Sequence, residues 1–125
     1  MKKNKISKNW INKQRRDIYV RKSKLEGYRS RAIYKLKEID DKFKIIRNGI
    51  KVVDLGSAPG SWSQYLSEKS KNSKILSIDL KGIEKIYNVT HLIGDFLDEK
   101  NQTIISNFFE DNYDIWLNST NHSKC

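Results

Sequence analysis

The sequence predicts an α/β fold, half of a parallel sheet flanked by helices behind a basic helical leader, and three observations carry that prediction. A β-branched run at 51–55 breaks into a glycine-rich loop that leads into a helix pattern. From there, short apolar runs alternate with helix-period segments, and acids stand at the ends of three consecutive strand patterns. Charge is divided along the chain: residues 1–51 hold 18 Lys or Arg against 5 Asp or Glu, and residues 52–125 hold 7 against 10.

In the leader, residues 1–8, MKKNKISK, carry too little apolar surface to offset the entropy of ordering and read as a solvated tail. Residues 10–26 follow with Trp10, Ile11, Ile18 and Leu25 at intermittent apolar positions, a weak helix pattern. Trp10 and Tyr19 interleave with Arg15, Arg16, Arg21, Lys22 and Lys24, which suits RNA because stacking supplements phosphate pairing. Taken alone, such a run is more often a solvated charged helix.

Gly27 ends that pattern, and a stronger helix begins with Ser30 as its candidate cap. Ile33, Leu36, Ile39 and Phe43 fall within an arc of about 120°. Lys35 projects about 40° beyond Ile39, at the edge of the stripe. Partial desolvation there would lower its pKa and make a neutral amine available as a base. From position alone, a lysine snorkelling past the core edge is the plainer account.

Residues 52–62, VVDLGSAPGSW, hold the strand-to-loop corner. Val52, Val53 and Leu55 suit a buried parallel strand, and Asp54 lies near its carboxyl end, where open α/β sheets place their ligands. Gly56, Ser57, Ala58 and Gly60 admit close approach of a ligand to the backbone, and Pro59 fixes the path of the loop. Ser61 is a candidate cap for the next helix, whose packed face is Trp62, Tyr65 and Leu66. A phosphate loop would need Lys and then Ser or Thr after Gly60, where Ser61 and Trp62 stand; a dinucleotide loop would need glycine at Ala58. A cofactor without phosphates fits better, S-adenosylmethionine being one, with Asp54 near the cationic end of its tail. An ordinary strand-to-helix turn has the same pattern, and spacing alone leaves both readings open.

Beyond the corner, strands are expected near 51–55, 74–79, 90–93 and 113–117. Helices are expected near 61–70 and 100–110, with a short helical piece around 82–87. This is a half-finished Rossmann-like sheet. Asp79 ends the second strand, 23 residues after Gly56, close to the offset at which an acid accepts from ribose hydroxyls. The third strand ends in Gly94 and Asp95, where an acid could accept from an adenine amino group.

Composition bounds the rest. A chain of 125 residues, 37% hydrophobic, holds one domain with a modest core. Its formal charge of +10, concentrated before the corner, suggests a polyanionic substrate bound in a salt-dependent way. No export signal or membrane span is visible, and the lone Cys125 with the separated His91 and His122 offers no disulfide or metal site, so a reducing cytoplasm is expected.

The segment GYRSRAIYKLKEIDDKFKIIRNGIKVVDLGSAPGSWSQYL resembles the N-terminal half of the heat-shock-induced ribosomal RNA methyltransferases, the FtsJ or RrmJ family. The likeness covers roughly residues 9–98, and the paired signatures SRAxxKLxEID and VDLGxAPGxWSQ are highly specific together. It implies a Rossmann-like fold that transfers a methyl group from S-adenosyl-L-methionine to a uridine 2′-hydroxyl in large-subunit ribosomal RNA. By resemblance, Gly60 and Trp62 belong to the cofactor site, Asp79 lies at the cofactor ribose, Asp95 lies by the adenine, and Lys35 matches the first catalytic lysine. The implied partner is ribosomal RNA or the large subunit. The 2′-hydroxyl requirement excludes DNA.

The resemblance stops after the fourth strand. The family carries a Ser-Asp-Met-Ala-like turn there, whereas YDIWL runs into Asn118, Ser119, Thr120 and Asn121, without the acid. The family's second lysine and its glutamate fall beyond Cys125, and the tail NSTNHSK resembles the stretch after the acid in some members, as a reading-frame change or internal loss near Ile115 would leave it. The expected organisation is an RNA-contacting leader at 1–28, the N-terminal half of a methyltransferase domain at 29–117 and a divergent tail at 118–125. Exposed apolar faces at Val52, Val53, Ile115 and Trp116 are expected along an uncovered sheet edge. Little or no methyl transfer is expected of the monomer, the alternative being a non-catalytic RNA- and cofactor-binding remnant or a non-functional fragment.

Overall fold

Apolar runs too short for helices and rich in Val, Ile and Leu become four strands, all parallel, in the spatial order β3-β2-β1-β4. A computed structural model describes residues 8–119, in the order α1 (Lys8–Leu25), α2 (Ile33–Phe43), β1 (Lys51–Leu55), α3 (Ser61–Lys69), β2 (Lys74–Asp79), β3 (Val89–Ile93), α4 (Glu99–Phe109) and β4 (Ile115–Asn118). This is the α/β, Rossmann-like half sheet that the sequence predicts.

Strand β1 is central and buried on both faces. Val52 joins Ile33, Leu36, Trp62, Leu66 and Ile75 in the core under α2 and α3, while Val53 joins Leu76, Ile78, Ile105 and Phe109 under α4. Alternation along one strand thus feeds two cores. The expected exposure of Val52 and Val53 is not found: both are fully buried, because α2 and α3 cover one face of β1 and α4 the other, while β4 pairs along its edge through Val52–Ile115 and Val53–Trp116. Among the described residues the edge strands are β3 and β4, and on β4 Trp116 is partly exposed and packs edge-on against Phe96 and Tyr113.

Local expectations fail where a distant group captures the backbone or the proposed cap. Ser30 does not cap α2; its hydroxyl lies 2.8 Å from that of Ser61, and the helix starts after Ala32. Ser61 does not cap α3, because Gly60 occupies that position at φ 110° and Ser61 is the first helical residue. Phe43, counted on the apolar face of α2, is exposed, since it is the helix's last residue before Lys44 turns left-handed. The helical piece around 82–87 is irregular chain, its Glu84 and Lys85 carbonyls taken by Arg29. Lys8 already belongs to α1; residues 1–7 of the expected tail, and 120–125 with Cys125, lie outside the described residues.

Two hydrogen bonds fasten α2 to α3. The Trp62 indole Nε1–H donates to the Ala32 carbonyl at 2.7 Å, and the Tyr65 hydroxyl donates to Asp40 at 3.0 Å. Asp98 caps α4 by accepting from the Lys100 amide, and Glu99 follows in the positive first turn. Among the described residues no helix is long and apolar enough to cross a membrane.

Candidate functional site

The sheet order reverses between β1, which leads on to β2 and β3, and β4 on its other side. Ligands of open α/β sheets bind at such a switch point, beyond the carboxyl ends of the strands. A cavity of about 250 Å³ opens there, lined by the Gly56–Pro59 loop, Asp79, Ser119 and the chain entering α2. A second cavity of about 220 Å³ lies beyond it, between the ends of β2 and β3, lined by Leu80, Gly94, Asp95 and Phe96 among others. Gly56 and Asp79 border both, so the two adjoin, and together they make a trough across three strand ends.

The loop is built on its glycines. Gly56 turns at φ 66° as β1 ends, and its amide donates to the Ile78 carbonyl at 2.9 Å. At Gly60 a Cβ would lie 3.0 Å from Ile86 Cδ1 and 3.2 Å from Arg29 Nη1, so the 83–86 chain and Arg29 close against bare backbone. Arg29 then binds three carbonyls, those of Pro59 (3.0 Å), Glu84 (2.8 Å) and Lys85 (3.3 Å), joining the corner to the chain after β2.

Asp79 stands at the centre of the trough. Its Oδ2 accepts from the Ala58 amide at 3.0 Å and its Oδ1 from the Lys81 amide at 2.9 Å. Each oxygen keeps acceptor capacity toward the cavity, as a pair of hydroxyls would require. Asp95 is held similarly, with Oδ1 accepting from the Leu97 amide and its carbonyl from Asn101 Nδ2. The bare α-carbon of Gly94 admits that Asn101 amide, which a Cβ would meet at 2.5 Å.

Asp54 lies beneath the trough rather than in it. It is fully buried, accepting from the Ser63 hydroxyl at 2.7 Å and the Ser119 hydroxyl at 3.2 Å. Burial pushes its carboxyl up to about 7, opposed by those two hydrogen bonds and aided by the charge of Asp79. Trp62 is likewise in the core, where it holds the Ala32 carbonyl at the cavity wall. Gly56, Asp79 and Asp95 therefore line the trough, whereas Asp54, Gly60 and Trp62 shape it from behind.

Lys35 takes a third position. It is exposed on α2, with Nζ 4.0 Å from Glu38, and lines a groove between α1 and α2. Its side chain is 45% exposed, as a lysine at the edge of the α2 stripe would be, and it faces the groove rather than the first cavity. That groove meets the first cavity at Arg31 and Ala32, which border both.

Sequence reasoning passed over two polar groups in the first cavity. Ser57 is buried, and its hydroxyl is without a hydrogen-bond partner among the described residues. An orphaned buried hydroxyl is costly unless a ligand engages it. Its only signal in the sequence is a polar residue between Gly56 and Ala58. Ser119 contacts the Asp54 carboxylate and the Leu55 and Gly56 carbonyls, joining the end of β4 to the loop after β1. A ligand with donors and acceptors along its length fits this set of groups.

This arrangement is that of the class of α/β proteins that bind a cofactor across the carboxyl ends of β1, β2 and β3. Residues 28–120 match the family described as FtsJ-like methyltransferase, and the chain belongs to that family. It is 58% identical over 115 residues to the ribosomal RNA large subunit methyltransferase E of Pelagibacter ubique, covering 92% of this chain and 57% of the relative. It is 49% identical over 100 residues to the protein of that name from Legionella pneumophila, covering 79% of this chain and 48% of the relative. A crystal structure described as a putative ribosomal RNA methyltransferase from Plasmodium falciparum superposes with a TM-score of 0.66 at 34% identity, covering 73% of this chain and 55% of that one. The chain thus spans about half the length of the curated relatives it matches. Family membership implies a methyl donor.

Proposed function

We propose that this chain binds S-adenosyl-L-methionine in the trough at the strand ends, as part of a cytoplasmic enzyme that methylates a uridine 2′-hydroxyl in large-subunit ribosomal RNA. The observation that carries the reading is that two cavities at adjacent strand ends share Gly56 and Asp79 as lining. Asp79, with spare acceptor capacity between the cavities, would receive the ribose hydroxyls. Asp95, beside Phe96 and Leu80, would face the adenine. Ser57 would give its unused hydroxyl to the amino-acid end, with Asp54 buried behind it.

When bound, the cofactor supplies a methyl group already activated by its sulfonium. The work of the chain is alignment, and the removal of a proton from a weakly nucleophilic hydroxyl. Lys35 is the residue assigned to that proton, from a groove bordering the cavity rather than from inside it. Lys22, Arg31 and Lys37 in the same groove would hold the RNA backbone by charge.

A second reading is favoured by one observation. Where the family carries an acid after the fourth strand, this chain has Asn118 and Ser119, and Ser119 spends its hydroxyl on Asp54, Leu55 and Gly56. With no carboxylate to hold Lys35 toward the hydroxyl, the chain would bind cofactor and RNA with little or no turnover. The two readings separate in an assay with labelled S-adenosylmethionine and large ribosomal subunits lacking the modification. Turnover like that of a full-length relative supports the enzyme; saturable cofactor binding without transfer supports the binding protein; absence of both rejects the proposal.

A further inference from the structure

The groove between α1 and α2, about 570 Å³, exceeds either cavity of the trough, and the family signatures leave its aromatic wall without a role. Tyr19 of α1 packs on Tyr34 of α2 with ring centroids 5.4 Å apart and planes 35° apart. Tyr34 is fixed: its hydroxyl donates to Glu26 at 2.5 Å, and Lys22 Nζ lies 4.9 Å from its ring centroid. Tyr19 is 44% exposed. The pair is a platform, one ring anchored and the other offered to solvent.

Charge completes the groove. Lys22, Arg31, Lys35 and Lys37 line it against the carboxylates of Glu38 and Asp41. Lys35 is engaged with Glu38 at 4.0 Å and Lys37 with Glu26 at 3.8 Å. Arg31 makes no ion pair or hydrogen bond of its guanidinium among the described residues, whereas Arg29, two positions earlier, spends its own on three carbonyls. Arg31 also borders both the groove and the first cavity. A planar five-donor cation held without an anion, at the junction of a ligand cavity and an aromatic groove, matches a phosphate.

We propose that this groove binds a single-stranded RNA segment next to the reacting nucleotide, with a base stacked on Tyr19 and a phosphate on Arg31. The assignment rests on the RNA-substrate reading above and adds to it the strand form and the stacking of a base on Tyr19. Bases paired in a duplex present no free face to Tyr19, so the segment is unpaired. An acidic peptide would satisfy Arg31 and leave the aromatic platform unused.

The test is fluorescence anisotropy of a labelled single-stranded RNA of about ten nucleotides with the full chain, beside a duplex of the same sequence. The parent is expected to prefer the single strand. Tyr19→Leu is expected to weaken binding about tenfold, and Tyr19→Phe to preserve it. Arg31→Gln is expected to lower the slope of log affinity against log salt by about 0.7. Leu is a good helix former at this exposed site, and an unchanged S-adenosylmethionine-dependent thermal shift in Tyr19→Leu checks its fold. Photocrosslinking of 4-thiouridine RNA to the parent, read by peptide mapping, gives a result without any variant and should land between residues 19 and 35. RNA binding that is indifferent to Tyr19 and Arg31, with crosslinks elsewhere, overturns the groove and leaves the RNA reading standing. A parent that binds no RNA overturns both.

Discussion

Asp54→Asn tests the buried carboxyl beneath the loop. Burial raises Asp54 from an ordinary 3.8 to about 7 in the folded chain. Between those values the folded state keeps a proton that the unfolded state has released, so stability is highest at acid pH and falls as pH rises through the window. At ~1.4 kcal/mol per pH unit, an interval of roughly three units is worth about 4 kcal/mol at most, of which about 3 kcal/mol falls between about pH 5 and pH 8. An asparagine retains the shape and can still meet Ser63 and Ser119, while it cannot ionise. Urea unfolding of parent and variant across this range isolates the term, because every other titrating group is common to both. The parent should lose stability toward pH 8 relative to Asp54→Asn, with the variant the more stable at the alkaline end. Parallel pH profiles would refute the claim that Asp54 is desolvated at the base of the site.

Gly60→Ala places a methyl 3.0 Å from Ile86 and forces a non-glycine residue to φ 110°, so a loss of about 2–3 kcal/mol is expected in the same unfolding assay. Gly94→Ala drives a Cβ to 2.5 Å from the Asn101 amide, which must leave the Asp95 carbonyl; S-adenosylmethionine affinity by calorimetry should fall by about tenfold. Ser57→Ala removes a buried hydroxyl with no partner among the described residues, and should leave the free protein as stable or slightly more so while weakening cofactor binding by about 1 kcal/mol. Equal cofactor affinity in parent and Ser57→Ala would take that hydroxyl out of the site.

Legibility in the sequence tracks the range of the forces involved. The corner from Asp54 to Trp62 is a local device, strand, tight turn and helix, whose glycines and apolar positions act within one turn of themselves. The strand ends at Asp79 and Asp95 were legible for the same reason, and so was the packed face Trp62, Tyr65 and Leu66. The chain from 82 to 87 was misread because a helix-compatible segment is held open by Arg29, 55 positions from Glu84. Ser30 looks like a cap until Ser61, 31 positions further along the chain, takes its hydroxyl. The angle of Lys35 on its helix follows from the apolar period, but the groove it faces does not, since a wheel gives an angle and not the environment beyond the stripe. Ser57 and Arg31 stand out only in the fold, because having no partner among the described residues is a property of the folded surroundings, with no trace in composition or spacing.

The central claim, a cofactor trough spanning the ends of β1, β2 and β3 through Asp79, is tested most directly by calorimetric titration of S-adenosylmethionine into the parent and Asp79→Asn. One-site binding by the parent, weakened at least tenfold in a folded Asp79→Asn, is the predicted result. A folded parent that binds no S-adenosylmethionine, or an Asp79→Asn variant that binds it as tightly as the parent, would contradict the claim.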